Sequence, residues 1–96
     1  MRKEEIISIL RSLNDIIKTQ YHAEVVGIFG SYVRGEEKST SDIDVLVKFD
    51  EEADLFDFVG LAIFLEERLG KKVDVVPHDA VRKELREIIF KETIPV

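Results

Sequence analysis

The segment 42–49, DIDVLVKF, limits what this chain can fold into more than any other stretch. Its side chains alternate: Ile43, Val45, Val47 and Phe49 fall on one face, Asp42, Asp44, Leu46 and Lys48 on the other. That is the period of a β-strand with one covered face. The same period puts Asp42 and Asp44 on one side of the strand, several ångströms apart. Carboxylates held that close repel each other, and neither belongs in a core. A divalent cation between the oxygens stabilises such a pair. Mg²⁺ is the natural choice, a hard ion satisfied by a few carboxylates and substrate phosphates.

The rest of the chain reads as the setting for that strand. Ile6, Leu10, Leu13 and Ile17 form one stripe of an amphipathic helix over 3–19. EVVGIF, 24–29, is β-branched, aromatic and short, and predicts a buried strand. Ser31 is placed to cap a helical turn over 32–35, and the polar EEKSTS, 36–41, is a loop. A helix over 55–69 starts at Asp54, carries the stripe Phe58, Ala62, Leu65 and Leu69, and ends at Gly70. VDVV, 73–76, is a strand closed by Pro77. Asp79 can cap a last helix over 80–92, with Val81, Leu85, Ile88 and Ile89 inward. The order α-β-(turn)-β-α-β-α predicts an α/β or α+β domain over 1–96, with about three core strands in a mixed sheet flanked by helices.

Two further features bear on the carboxylate pair. Asp74 points away from the apolar side of its strand, so it joins Asp42 and Asp44 if 73–76 lies beside 42–49. Three carboxylates around two metal ions can clamp the attacking and leaving oxygens of a phosphoryl displacement; Asp74 alone would be only an edge-strand charge that deters aggregation. Gly30-Ser31, between a strand and a turn, suits an anion: glycine permits close approach, Ser31 offers a hydroxyl, and amides follow. Alone such a pair is just a turn. Beside an acidic metal site it makes a nucleoside triphosphate a coherent ligand. Arg34 can bind a phosphate or pair with Asp42, or equally well pair with Glu36 or Glu37. Tyr32, His78 and the acids of 50–57 read as packing, loop and solvated surface. Phe56, Phe64 and Phe90 read first as core and second as a partner surface.

Gly30-Ser31, ten residues, then Asp42-x-Asp44 resembles the signature of the nucleotidyltransferase superfamily related to DNA polymerase β. More narrowly, with Arg34-Gly35 after the Gly-Ser pair, the chain is similar to the minimal nucleotidyltransferases over nearly its whole length. The resemblance implies a nucleotidyltransferase fold and a third acidic position at Asp74. It implies two Mg²⁺ ions held by Asp42 and Asp44, Asp74 on the catalytic metal, and ATP held by Gly30 and Ser31, with Arg34 as a weaker candidate. It further implies a protein adenylyltransferase, the antitoxin of a type VII toxin–antitoxin pair, moving AMP from ATP to a tyrosine of a HEPN-domain toxin. Two alternatives stand beside it: an antitoxin that neutralises by binding alone, and nucleotidyl transfer to a small molecule. Repelling carboxylates argue against the first, and the lack of an acceptor-binding lobe against the second.

Composition narrows the remaining classes. Lys and Arg total 14 against 20 Asp and Glu, a formal charge of −6. Counterion release from nucleic acid needs a basic face, so nucleic acid is not an expected partner. With no cysteine, disulfides, thiolate catalysis and zinc–sulfur sites are excluded. No apolar run approaches the roughly 20 residues of a membrane span, and the N-terminus lacks the apolar core of a signal peptide. The cytoplasm is the expected compartment.

Overall fold

The computed structural model describes residues 1–96. Its elements are α1 (Lys3–Tyr21), β1 (Ala23–Phe29), α2 (Ser31–Arg34), β2 (Ile43–Phe49), α3 (Leu55–Leu69), β3 (Val73–Pro77), a 3₁₀ turn (His78–Ala80), α4 (Lys83–Glu92) and β4 (Ile94–Pro95). The sheet is mixed, in the order β3-β2-β1-β4. β1 runs antiparallel to both β2 and β4, whereas β2 and β3 are parallel. Parallel neighbours need a long crossover, and α3 supplies it. This is the mixed α/β class that the sequence predicts, with one strand more.

The larger core lies on one face of the sheet. There α1 buries Ile6, Leu10, Leu13 and Ile17, the stripe read from the sequence. Leu61, Leu65 and Leu69 of α3 join them over Val25, Ile28, Ile43, Val45, Val47, Val73 and Val75. Asp54 caps α3 by accepting from the Asp57 amide at 3.0 Å, and Gly70 ends it in the left-handed conformation. Truncating any one of these buried leucines or isoleucines to alanine is the kind of change that costs about 2–5 kcal/mol.

The other face is only partly covered, and here several expectations are corrected. Leu46, on the polar side of the β2 alternation, is 1% exposed. It packs with Phe29 and Val81 in a second cluster, flanked by Val26, Val76 and Ile89. Strand β2 is therefore apolar on both faces at its middle, with Asp44 before Leu46 and the exposed Lys48 after it on the second face. The last helix starts at Lys83 rather than 80, because the 3₁₀ turn and an extended Val81 intervene; neither Arg82 nor Asp79 caps it by a side-chain bond. Val81 thus seals the cluster from outside the helix, and Leu85 and Ile88 are exposed. Ser31 is the first residue of α2 and not its cap, a place Gly30 takes. Phe56 is largely solvent-exposed and Phe90 partly so, while Tyr32 is buried in the larger core.

Strand β4 was invisible in the sequence, being two residues long with a proline. It docks because Gly27 has no side chain: a Cβ there would collide with the backbone of Ile94.

Candidate functional site

Strand order puts the acidic side chains together. Parallel pairing of β2 with β3 sets Asp44 directly beside Asp74, on chains about 4.8 Å apart. Both share the sheet face of Leu46 and Val76, beyond the cluster those residues form. The condition attached to Asp74, that its strand lie beside 42–49, is met. Asp74 and Asp42 are exposed, and Asp44 is half-buried. Asp42 precedes β2 and lines a cleft of about 390 Å³ with Ser41, Lys71 and Lys72, a cleft that no apolar side chain enters.

The charges confirm the crowding. Burial first, then the charges of Asp74 and Asp42, push the Asp44 carboxyl up from 3.8 to about 6. Arg34 opposes the rise. The donors are all oxygens, which hard cations accept. Even so, no three acidic or histidine side chains converge closely enough to form a ready-made metal cage.

Gly30 closes the site from β1. Phe29 pairs with Asp44 across the antiparallel ladder, and Gly30 follows with φ +83°, a conformation that side chains rarely adopt. A Cβ at Gly30 would strike the Asp44 carboxylate. Glycine is required here twice over, by the backbone angle and by the carboxylate. Ser31 opens α2, whose first amides precede any helical hydrogen bond.

Arg34 is engaged by carboxylates. Its Nε donates to Glu36 Oε1 at 2.7 Å, one of the pairings the sequence left open, and its Nη1 donates to Glu92 Oε1 at 2.7 Å. No ion pair with Asp42 forms. Glu92 is the residue that sequence reasoning missed. Its Oε2 accepts from the Gly30 amide at 2.8 Å, so that amide is not turned outward to an anion. Burial alone would raise the Glu92 carboxyl, but the Arg34 and Gly30 hydrogen bonds and the Arg34 charge outweigh it and hold it below the usual range. No local signal marks Glu92, an acid at the end of an amphipathic helix 62 residues from Gly30. His78 stacks on Phe90, ring centroids 5.1 Å apart, and pairs with Asp79 at 3.1 Å.

Comparison with known proteins agrees with this geometry. The family profile described as nucleotidyltransferase domain matches residues 10–96. The chain is 38% identical over 93 residues to protein adenylyltransferase MntA of Thermococcus cleftensis, covering 97% of this chain and 94% of that one. A solved minimal nucleotidyltransferase superposes with a TM-score of 0.84 at 34% identity, spanning 100% of this chain and 97% of the other. A toxin–antitoxin crystal structure with AMP-PNP superposes with a TM-score of 0.61 at 28% identity, over 88% of this chain and 64% of that one. No helix is long and apolar enough to cross a membrane. The chain belongs to the nucleotidyltransferase domain family and is a nucleotidyltransferase enzyme.

Proposed function

We propose that the chain moves AMP from ATP to a hydroxyl of a protein toxin, a tyrosine of a HEPN-type partner, and neutralises that toxin by doing so. The observation that carries the reading is the parallel pairing of Asp44 with Asp74 beside Asp42, on an open sheet face closed at one side by the Gly30-Ser31 turn. The relative named as a protein adenylyltransferase and the toxin–antitoxin structure with AMP-PNP support the choice of nucleotide and partner.

The donor set fits Mg²⁺. This ion takes one or two carboxylates and completes its shell with water and substrate phosphates, so a site with no complete cage of its own suits it. Asp42, Asp44 and Asp74 would hold two such ions between them, Asp42 and Asp44 sharing both. When bound, Mg²⁺ neutralises phosphate charge and stabilises the attacking and leaving oxygens.

The chain's own residues orient the reactants. Ser31 and the first amides of α2 hold the triphosphate at the end of β1. The acceptor oxygen bonds to the α-phosphorus as the bond to the bridging oxygen breaks and pyrophosphate leaves. Asp74, exposed on the edge strand, takes the hydroxyl proton. Positioning and electrostatics supply most of the acceleration.

Labelled ATP, Mg²⁺ and a purified HEPN-type toxin from the same genome provide the test. Transfer of label to a tyrosine is expected, and Asp42→Asn with Asp44→Asn should reduce it by roughly a thousandfold or more. A folded partner that gains no label overturns the reading. Neutralisation that survives both substitutions shows binding in place of catalysis.

A further inference from the structure

We propose that Glu92 is a positioning residue for nucleotidyl transfer: it fixes the Gly30-Ser31 turn relative to the site carboxylates from the opposite end of the chain. The inference rests on the function proposed above. Its basis is one carboxylate with two ligands. Oε2 accepts from the Gly30 amide at 2.8 Å and Oε1 from Arg34 Nη1 at 2.7 Å.

Both ends of this contact are built. Gly30 is buried and its amide donates to Glu92 Oε2. A buried amide without an acceptor is costly, so the turn keeps its orientation only while Glu92 is in place. The Glu92 side chain is 18% exposed, and Arg34 is held from its other edge by Glu36. The backbone around Glu92 is tied on both sides. Thr93 bonds the Ile89 carbonyl through its amide at 3.0 Å and its hydroxyl at 2.7 Å. Beyond it, β4 lies against β1 at Gly27, where only glycine admits the Ile94 backbone. The carboxylate is thus delivered by a fixed C-terminal segment to the amide preceding Ser31. The end of α4 thereby supports the Gly30-Ser31 turn proposed to hold the nucleotide.

Three forms of the full chain test this: wild type, Glu92→Ala and Glu92→Gln. The glutamine keeps a side-chain oxygen for the Gly30 amide but loses the charge that pairs with Arg34. Hydrogen exchange at the Gly30 amide reads the clamp directly. Calorimetry with Mg²⁺ and a non-hydrolysable ATP analogue, at a temperature where every form is folded, reads its effect on the site.

In Glu92→Ala, exchange at Gly30 should quicken and the analogue's Kd should rise, each about tenfold, as for the loss of one hydrogen bond to a charged group. Glu92→Gln, which keeps the Gly30 acceptor and loses the Arg34 one, should fall between wild type and Glu92→Ala in both. A strut with a merely structural role would lower the melting temperature of Glu92→Ala and leave its Kd unchanged; that result overturns the proposal. So does Glu92→Gln binding as weakly as Glu92→Ala. If Glu92→Ala does not fold, Glu92→Asp, one methylene too short to span both contacts, takes its place with the same expectation. Wild type that fails to bind the analogue overturns the proposed function as well, whereas wild type that binds while Glu92→Ala binds equally overturns this inference alone.

Discussion

Asp44 stands between Phe29 on one neighbouring strand and Asp74 on the other. Half-burial and the charges of Asp74 and Asp42 raise its carboxyl from 3.8 to about 6, so the folded protein holds this proton more tightly than the unfolded chain. Its contribution to stability is fully present below about pH 4 and is lost as pH rises through about 6. Glu92, held below its usual range, acts in the opposite sense, its contribution being lost as pH falls. The difference between wild type and Asp44→Asn isolates the first effect. Without metal, Asp44→Asn should melt above wild type at pH 8, and the gap should shrink steadily toward pH 4. Thermal melts across that range check it, and an equal gap at both ends contradicts it.

At the scale of elements, the unit β2-α3-β3 assembles the acids, because parallel pairing is possible only across such a crossover. The start of α3 is set by a reciprocal cap: the Asp57 amide bonds Asp54 Oδ1 at 3.0 Å, and the Asp54 amide bonds Asp57 Oδ2 at 3.1 Å. Asp54→Ala removes one acceptor for an amide that the helix cannot satisfy, and should cost about 1 kcal/mol in urea unfolding. Because α3 leans on the face opposite the acids, the binding of Mg²⁺ with ATP should be unchanged in this variant. The apolar stripes of α1 and α3 were legible because each is continuous and one-sided. The stripe of α4 misled because Val81 lies outside the helix, so its phase does not carry into Leu85 and Ile88. The second apolar face of β2 was hidden for a similar reason, since a single Leu46 among polar neighbours does not reveal what packs above it.

For the molecule as a whole, the mutual repulsion of Asp42, Asp44 and Asp74 means that the folded state gains when cation and nucleotide bind together. Mg²⁺ with ATP should raise the melting temperature, by an amount equivalent to roughly 2.7 kcal/mol at a hundred times the dissociation constant. Either component alone should do far less. Asp42→Asn with Asp44→Asn should remove the response. Differential scanning with each component and with both tests this, and an unshifted melt with both at saturating concentration would contradict it.

The sequence alone determined the strand, the two aspartates on one side of it, the Gly30-Ser31 turn and the helices that cover the larger core. Each is a local pattern, set by a period of two, a period near 3.6 or the chemistry of a single turn. It also fixed Asp74 as a candidate, but only conditionally. Tertiary structure decided the condition, by laying β3 parallel to β2 in a register that pairs Asp44 with Asp74. It alone decided that β4 exists, that Leu46 is core and that Arg34 pairs with Glu92. Those contacts join residues far apart in the chain, where no period carries information. Only the closing of the sheet brings the last helix back to the first turn of the site.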